Sequence, residues 1–136
     1  MLKILTVVGL LFLVNACGSS STPNAPTGGS VPAGTTTFTV TIPNAPNSFN
    51  INGLENPSLT LQIGQTYTFN ISTTGHPFYI KTVQGNGTGN ADSNGVTGNG
   101  TTTGTLTFTV PAGAPATLFY DCAIHQAMTG VITITN

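Results

Sequence analysis

The sequence predicts a small all-β sandwich. Three observations carry that prediction: apolar residues alternate with threonine at a period of two, no stretch shows a competing helical period, and turn residues separate the runs. Only 4% of the residues are charged, and Gly, Thr, Asn and Ser fill the positions that charges usually occupy. Neutral hydroxyls and amides must therefore solvate the surface, as suits a β-rich secreted protein. At 136 residues the chain has room for one compact domain. Lys3 and Lys81 are its only basic residues, so nothing neutralises a row of phosphates, and nucleic-acid binding is excluded.

The chain opens with an address. Residues 1–17 carry an early Lys3, an apolar run from Ile4 to Val14 interrupted by Thr6 and Gly9, and then small residues, the pattern of a signal peptide. The run is too short for a membrane-spanning helix, which needs about 20 apolar residues. Val14-Asn15-Ala16-Cys17 resembles the lipobox of bacterial lipoproteins. That resemblance implies removal of residues 1–16, a lipid on Cys17 and attachment to the membrane through it. An ordinary secretory signal cut near Ala16 is the alternative, and either one takes the protein out of the cytoplasm. Gly18 stands where inner-membrane lipoproteins often carry Asp, which favours the outer membrane or the cell surface in a Gram-negative host. Residues 17–35, rich in Ser, Pro and Gly, have almost nothing apolar to bury and read as a flexible tether. The folded domain is expected over 36–136.

Phe38, Val40 and Ile42 alternate with Thr37, Thr39 and Thr41 and predict the first strand. Leu59, Leu61 and Ile63 precede Gly64-Gln65 and then Tyr67, Phe69 and Ile71, which reads as a hairpin. Further strands are expected from Phe78 to Val83, at Leu106, Phe108 and Val110, from Thr117 to Tyr120 and from Val131 to Thr135. About seven to eight short antiparallel strands in one small domain make a β-sandwich. Between Gln84 and Gly104 no strand is expected, and a loop of that length is either functional or mobile. Asp92-Ser93-Asn94-Gly95 has the outline of a calcium loop, but a single carboxylate does not satisfy a hard cation. Glycosylation sequons begin at Asn70, Asn86 and Asn99 and carry no weight behind a bacterial lipoprotein signal.

The soft donors are few and grouped. Beyond Cys17 the chain holds two His, one Cys and one Met after its leader, and three of these follow one another as Cys122-x2-His125-x2-Met128. The fourth, His76, opens the strand that begins His76-Pro77-Phe78. Two His, one Cys and an axial Met match the ligand set of a type 1, or blue, copper centre. A thiolate and two imidazoles suit both Cu(I) and Cu(II), and a weakly bound thioether barely favours either.

Over about residues 36–136 the chain resembles the cupredoxin family. The residues that carry the resemblance are one upstream His76 and a C-terminal Cys122-His125-Met128 loop before a Gly-led last strand. It implies a Greek-key β-sandwich, one copper ion and the ligands His76, Cys122, His125 and Met128. The short His-to-Met gap is similar to the ligand loop of amicyanin. One position departs from the pattern. Many cupredoxins place Asn directly after the first His to tie the two ligand loops together, whereas Pro77 stands here and has no N–H to donate. Gly75 and Thr129 are the candidates for replacing its contacts.

Taken singly, Cys122 reads as a buried thiol, Met128 as core filler and His76 as a partner for a carbonyl; a Cys17–Cys122 disulfide is a further alternative. Copper enzymes that reduce nitrite or oxygen need additional His, and none remains, so an enzyme is not expected. The resemblance implies a monomeric one-electron carrier that meets a redox partner protein. Its docking patch around His125 is expected from Pro77, Phe78, Ala123, Ile124 and Ala127. Copper storage, tolerance or delivery uses the same ligands and is the second reading, and a metal-free surface or adhesion domain the third. Asp121, next to Cys122, is expected to bring negative charge near the metal and favour Cu(II).

Overall fold

The computed structural model describes residues 28–136. The leader, the lipid-bearing Cys17 and the first part of the tether lie outside the described residues. The described chain forms ten strands: β1 (Thr37–Thr41), β2 (Asn50–Ile51), β3 (Leu54–Glu55), β4 (Leu59–Gln62), β5 (Thr66–Ser72), β6 (Phe78–Lys81), β7 (Val96–Thr97), β8 (Thr103–Thr109), β9 (Thr117–Cys122) and β10 (Thr129–Thr135). They make a sandwich of two sheets, one ordered β3-β2-β1-β5-β8-β7 and the other β4-β10-β9-β6.

The alternation read from the sequence places one face of each strand in the core. Phe38 and Val40, Tyr67, Phe69 and Ile71, and Leu106 and Phe108 point inward from the first sheet; Leu59 and Leu61, Phe78 and Ile80, Leu118 and Tyr120, and Ile132 and Ile134 do so from the second. Burial of these side chains is the main source of stability. Aromatic rings run between the sheets as a connected series. Phe38 stacks on Phe69 at 4.7 Å, Phe69 meets Phe78 at 5.7 Å, and Phe78 stacks on Tyr120 at 5.5 Å.

Three expectations change. The segments 59–63 and 67–71 are not a hairpin, because β4 lies in one sheet and β5 in the other. Gly64, with φ of 81°, turns the chain across the sandwich, and its N–H donates to Val110 O at 2.8 Å. Alternation reports which face of a strand is buried, and it is the same whether two strands lie side by side or face each other across a core. Nor are the sheets purely antiparallel: β1 runs parallel to β5, and β4 parallel to β10. Finally, the ordered chain begins ahead of residue 36. Val31 is buried, its N–H donates to Ser58 O at 3.2 Å, and Ser58 N–H donates to Gly29 O at 3.1 Å. One apolar side chain and two backbone bonds suffice to fasten the end of the tether to the domain.

The segment from Gln84 to Thr102, where the sequence predicts no strand, is a built cover and includes the short β7, and β8 already begins at Thr103. It crosses the open edge of β6 through bridges from Phe78 to Thr101 and from Lys81 to Ala91. Asn99 completes the cover like a strand residue: its Oδ1 accepts Ile80 N–H at 2.8 Å, and its Nδ2 donates to Ile80 O at 3.0 Å and Asp92 O at 2.8 Å. Unpaired edge groups invite a second chain, and here they are satisfied. Asp92 spends a carboxylate oxygen on Asn94 N–H at 2.9 Å, closing a local turn.

Candidate metal centre

His76 sits in the turn between β5 and β6. Its N–H donates to Thr73 O at 2.7 Å, the buried Thr73 hydroxyl donates back to His76 O at 2.8 Å, and Gly75 takes the positive φ of 80° that the turn requires. Thr73 N–H in turn donates to Thr102 O at 2.8 Å. The first imidazole is thus mounted on a turn bonded at both ends. Gly75 serves this turn through its conformation.

Cys122 ends β9, where it faces Phe78 in register. The loop that follows closes on itself: Cys122 N–H donates to Met128 O at 2.9 Å, and Met128 N–H donates to His125 O at 3.1 Å. Cys122 and Met128 are buried, whereas His76 and His125 are half-buried. The two loops are joined where Pro77 withholds a donor, because its carbonyl accepts Ala123 N–H at 3.2 Å. The departure from the common Asn is therefore met by the main chain.

His76, Cys122 and His125 converge, with their ligand atoms all within 4.8 Å of one another. Each Nδ1 lies 3.9 Å from Cys122 Sγ, and the imidazole centroids are 4.7 Å apart. This spacing fits a shared ion. Metal–sulfur and metal–nitrogen bonds of about 2.3 and 2.0 Å, opened at trigonal angles, separate S from N by about 3.7 Å. Burial and the neighbouring His125 lower the pKa of His76, so its neutral form, the one that binds metal, is favoured. Ile124 N–H donates to Cys122 Sγ at 3.4 Å, tying the start of the ligand loop back to the sulfur. Two imidazoles and one thiolate in a trigonal set, with a thioether on the same loop, constitute the donor chemistry of blue copper.

A buried polar group flanks the ligand loop on the outer face of β9. Lys81 is 1% exposed, and its Nζ donates to Gly85 O and, at 2.6 Å, to Gly87 O. Gly87 N–H donates to Ala123 O at 2.8 Å, and Gly85 N–H to Asp121 Oδ2 at 3.3 Å. Gln84 Nε2 donates to Thr129 Oγ1 at 3.0 Å. Sequence reading missed Lys81, whose one signal was a cation inside an otherwise apolar strand. Asp121 belongs to this group. Successive strand residues point to opposite faces, so its carboxylate lies on the face away from Cys122 Sγ. Burial raises its pKa.

Of the expected docking residues, Ile124 is 55% exposed and Ala127 is exposed, with Pro77 and Ala123 half-buried beside them. Phe78 is a correction. It is 0% exposed and packs against Phe49, Phe69 and Tyr120, because the residue after Pro77 is the first inward position of β6.

No family model matches this chain, and no curated protein matches it. Solved structures do. The copper protein rusticyanin aligns with 26% identity over 73% of this chain and 76% of its own, with a TM-score of 0.50. A rusticyanin in which one methionine is replaced by leucine gives the same values. Rusticyanin from Thiobacillus ferrooxidans is 28% identical over the same shares, with a TM-score of 0.49. The sandwich is therefore a cupredoxin fold, and the site stands on the loops that carry this chain's only two histidines.

Proposed function

We propose that this protein is a type 1 copper protein that carries single electrons. His76, Cys122 and His125 would hold the ion, which would supply a one-electron couple there, and Met128 would add its thioether from the same loop as Cys122 and His125. The observation that carries the reading is the convergence of the three donors within 4.8 Å on loops tied to each other and to both sheets. Similarity to the copper protein rusticyanin supports it. The protein's own contribution is to keep the donors where they serve both oxidation states, so that little moves when the electron passes. Carrying is favoured over catalysis because both histidines are used by this one site.

His125 is the route by which the electron leaves. His125 is half-buried, its loop neighbours Ile124 and Ala127 are exposed, and Pro77 and Ala123 are half-buried, which supports an apolar rim suited to brief docking of a redox partner. The lipobox-like Val14-Asn15-Ala16-Cys17 supports an extracytoplasmic protein, lipid-anchored through Cys17 on the outer membrane or cell surface, with the tether letting a monomeric domain reorient. The test is an optical and electron paramagnetic resonance spectrum after one equivalent of Cu(II). An intense visible thiolate-to-copper band with narrow copper hyperfine splitting is expected. A colourless protein with tetragonal Cu(II) signals overturns the reading.

A further inference from the structure

The end of the ligand loop is held by a residue far away in the chain. Asn56 lies between β3 and β4, is 5% exposed and has a φ of 41°. It grips Phe49 as a strand partner would: Asn56 N–H donates to Phe49 O at 2.8 Å, and Asn56 Oδ1 accepts Phe49 N–H at 2.9 Å. Its remaining amide group, Nδ2, donates to Ala127 O in the ligand loop at 2.9 Å.

That carbonyl belongs to the planar peptide that also contains Met128 N. The oxygen of this peptide is held by Asn56, and its N–H is held by His125 O. The next peptide is held as well, through Met128 O and Cys122 N–H. With both flanking planes fixed, the φ and ψ of Met128 are fixed, and so is the direction in which its side chain starts. Asn56 has no freedom to follow the loop, because Phe49 holds it at two points and Phe49 is wedged against Phe78 at 4.9 Å. The neighbouring Pro57 is tied too, its carbonyl accepting the Tyr120 hydroxyl at 2.7 Å.

We infer that Asn56 is a positioning residue that sets where the Met128 thioether lies relative to Cys122, His76 and His125. The inference rests on the reading of Met128 as the axial ligand. It makes the β3–β4 connection a third support of the site, beside the two ligand-bearing loops.

The test compares Asn56→Gly with Asn52→Gly. Glycine tolerates the positive φ at both positions. Asn52, with φ of 50°, also loses two side-chain bonds, to Thr39 N–H and Thr37 O, on a turn that does not touch the ligand loop. In metal-free protein, amide exchange at Met128 and Cys122, taken relative to core amides such as that of Phe69, is expected to speed by about five- to tenfold in Asn56→Gly, the loss of one hydrogen bond. Asn52→Gly is expected to leave that ratio unchanged. After Cu(II) loading, Asn56→Gly alone is expected to change the relative intensities of the thiolate-to-copper bands. Equal exchange ratios in the two variants, or unchanged band intensities in Asn56→Gly, overturn the inference. If Asn56→Gly does not fold, Asn56→Asp keeps the acceptor for Phe49 N–H and removes the donor to Ala127, and the same readouts apply. Absence of a thiolate band in the unsubstituted protein defeats the copper reading instead, and the metal-free exchange ratio still decides whether Asn56 holds Met128.

Discussion

The carbonyl of Pro77 accepts the amide proton of Ala123 at 3.2 Å, joining the residue after the first histidine to the residue after the cysteine. Proline removes a donor but keeps its acceptor, so the two ligand loops are still sewn together, with the direction of the bond set by the backbone.

Replacing His125 by Gly opens the ligand plane to solvent. The variant is expected to bind added imidazole and recover a thiolate-to-copper band, while electron self-exchange slows by at least about tenfold, equivalent to roughly 1.4 kcal/mol in the barrier. Stopped-flow or line-broadening measurements check this. An unchanged exchange rate removes His125 as the exit route.

Phe78 and Ile124 separate packing from docking. Phe78→Ala empties a fully buried ring site and is expected to cost about 3–5 kcal/mol in urea unfolding. Ile124→Ala alters an exposed side chain, so stability is expected to hold within about 0.5 kcal/mol while reaction with a redox partner slows.

Lys81→Met removes the ammonium that holds two carbonyls of the 85–87 segment. Hydrogen bonds to a charged group contribute about 1.5–3 kcal/mol each and do not simply add, so a loss of about 2–3 kcal/mol is expected. Faster amide exchange at Gly87, which is bonded to Ala123 O, is the local sign. Equal stability of the two proteins refutes the role.

Asp121 gives a pH dependence of known sign. Its pKa is raised in the fold, chiefly by burial, so its contribution to stability is full below the unfolded value near 3.8 and is lost as pH rises through the folded value. Asp121→Asn lacks this loss. The stability of the variant relative to the unsubstituted protein is therefore expected to rise with pH across that window, measured as urea midpoints on metal-free protein. The contribution of His76 runs the other way, because its lowered pKa makes stability fall as pH drops below the ordinary value of 6.5, and it cancels in the comparison.

Strand faces, the sandwich and the donor quartet were legible because they depend on short spacings. Phe38 and Val40 declare a buried face two residues apart, and Cys122, His125 and Met128 lie within one turn of chain. The pairing of Leu59–Gln62 with Thr129–Thr135 was not legible, since alternation carries no information about which strand lies alongside. Asn99 read as a sequon residue within a loop, and its work as a strand surrogate for Ile80 appears only once β6 has an edge to cover.

What the sequence determined by itself is the chemistry: a binary pattern that buries one face of every strand, and two imidazoles, a thiolate and a thioether as the soft donors. What the tertiary structure decided is the support of that chemistry. Asn56 meets Ala127 across 71 residues, Lys81 meets the carbonyls of its own cover, and Pro77 turns its oxygen to Ala123. The physical reason is that an apolar side chain needs only an inside, whereas a buried polar group needs a particular partner at hydrogen-bond distance. That partner is known only when the whole chain is in place.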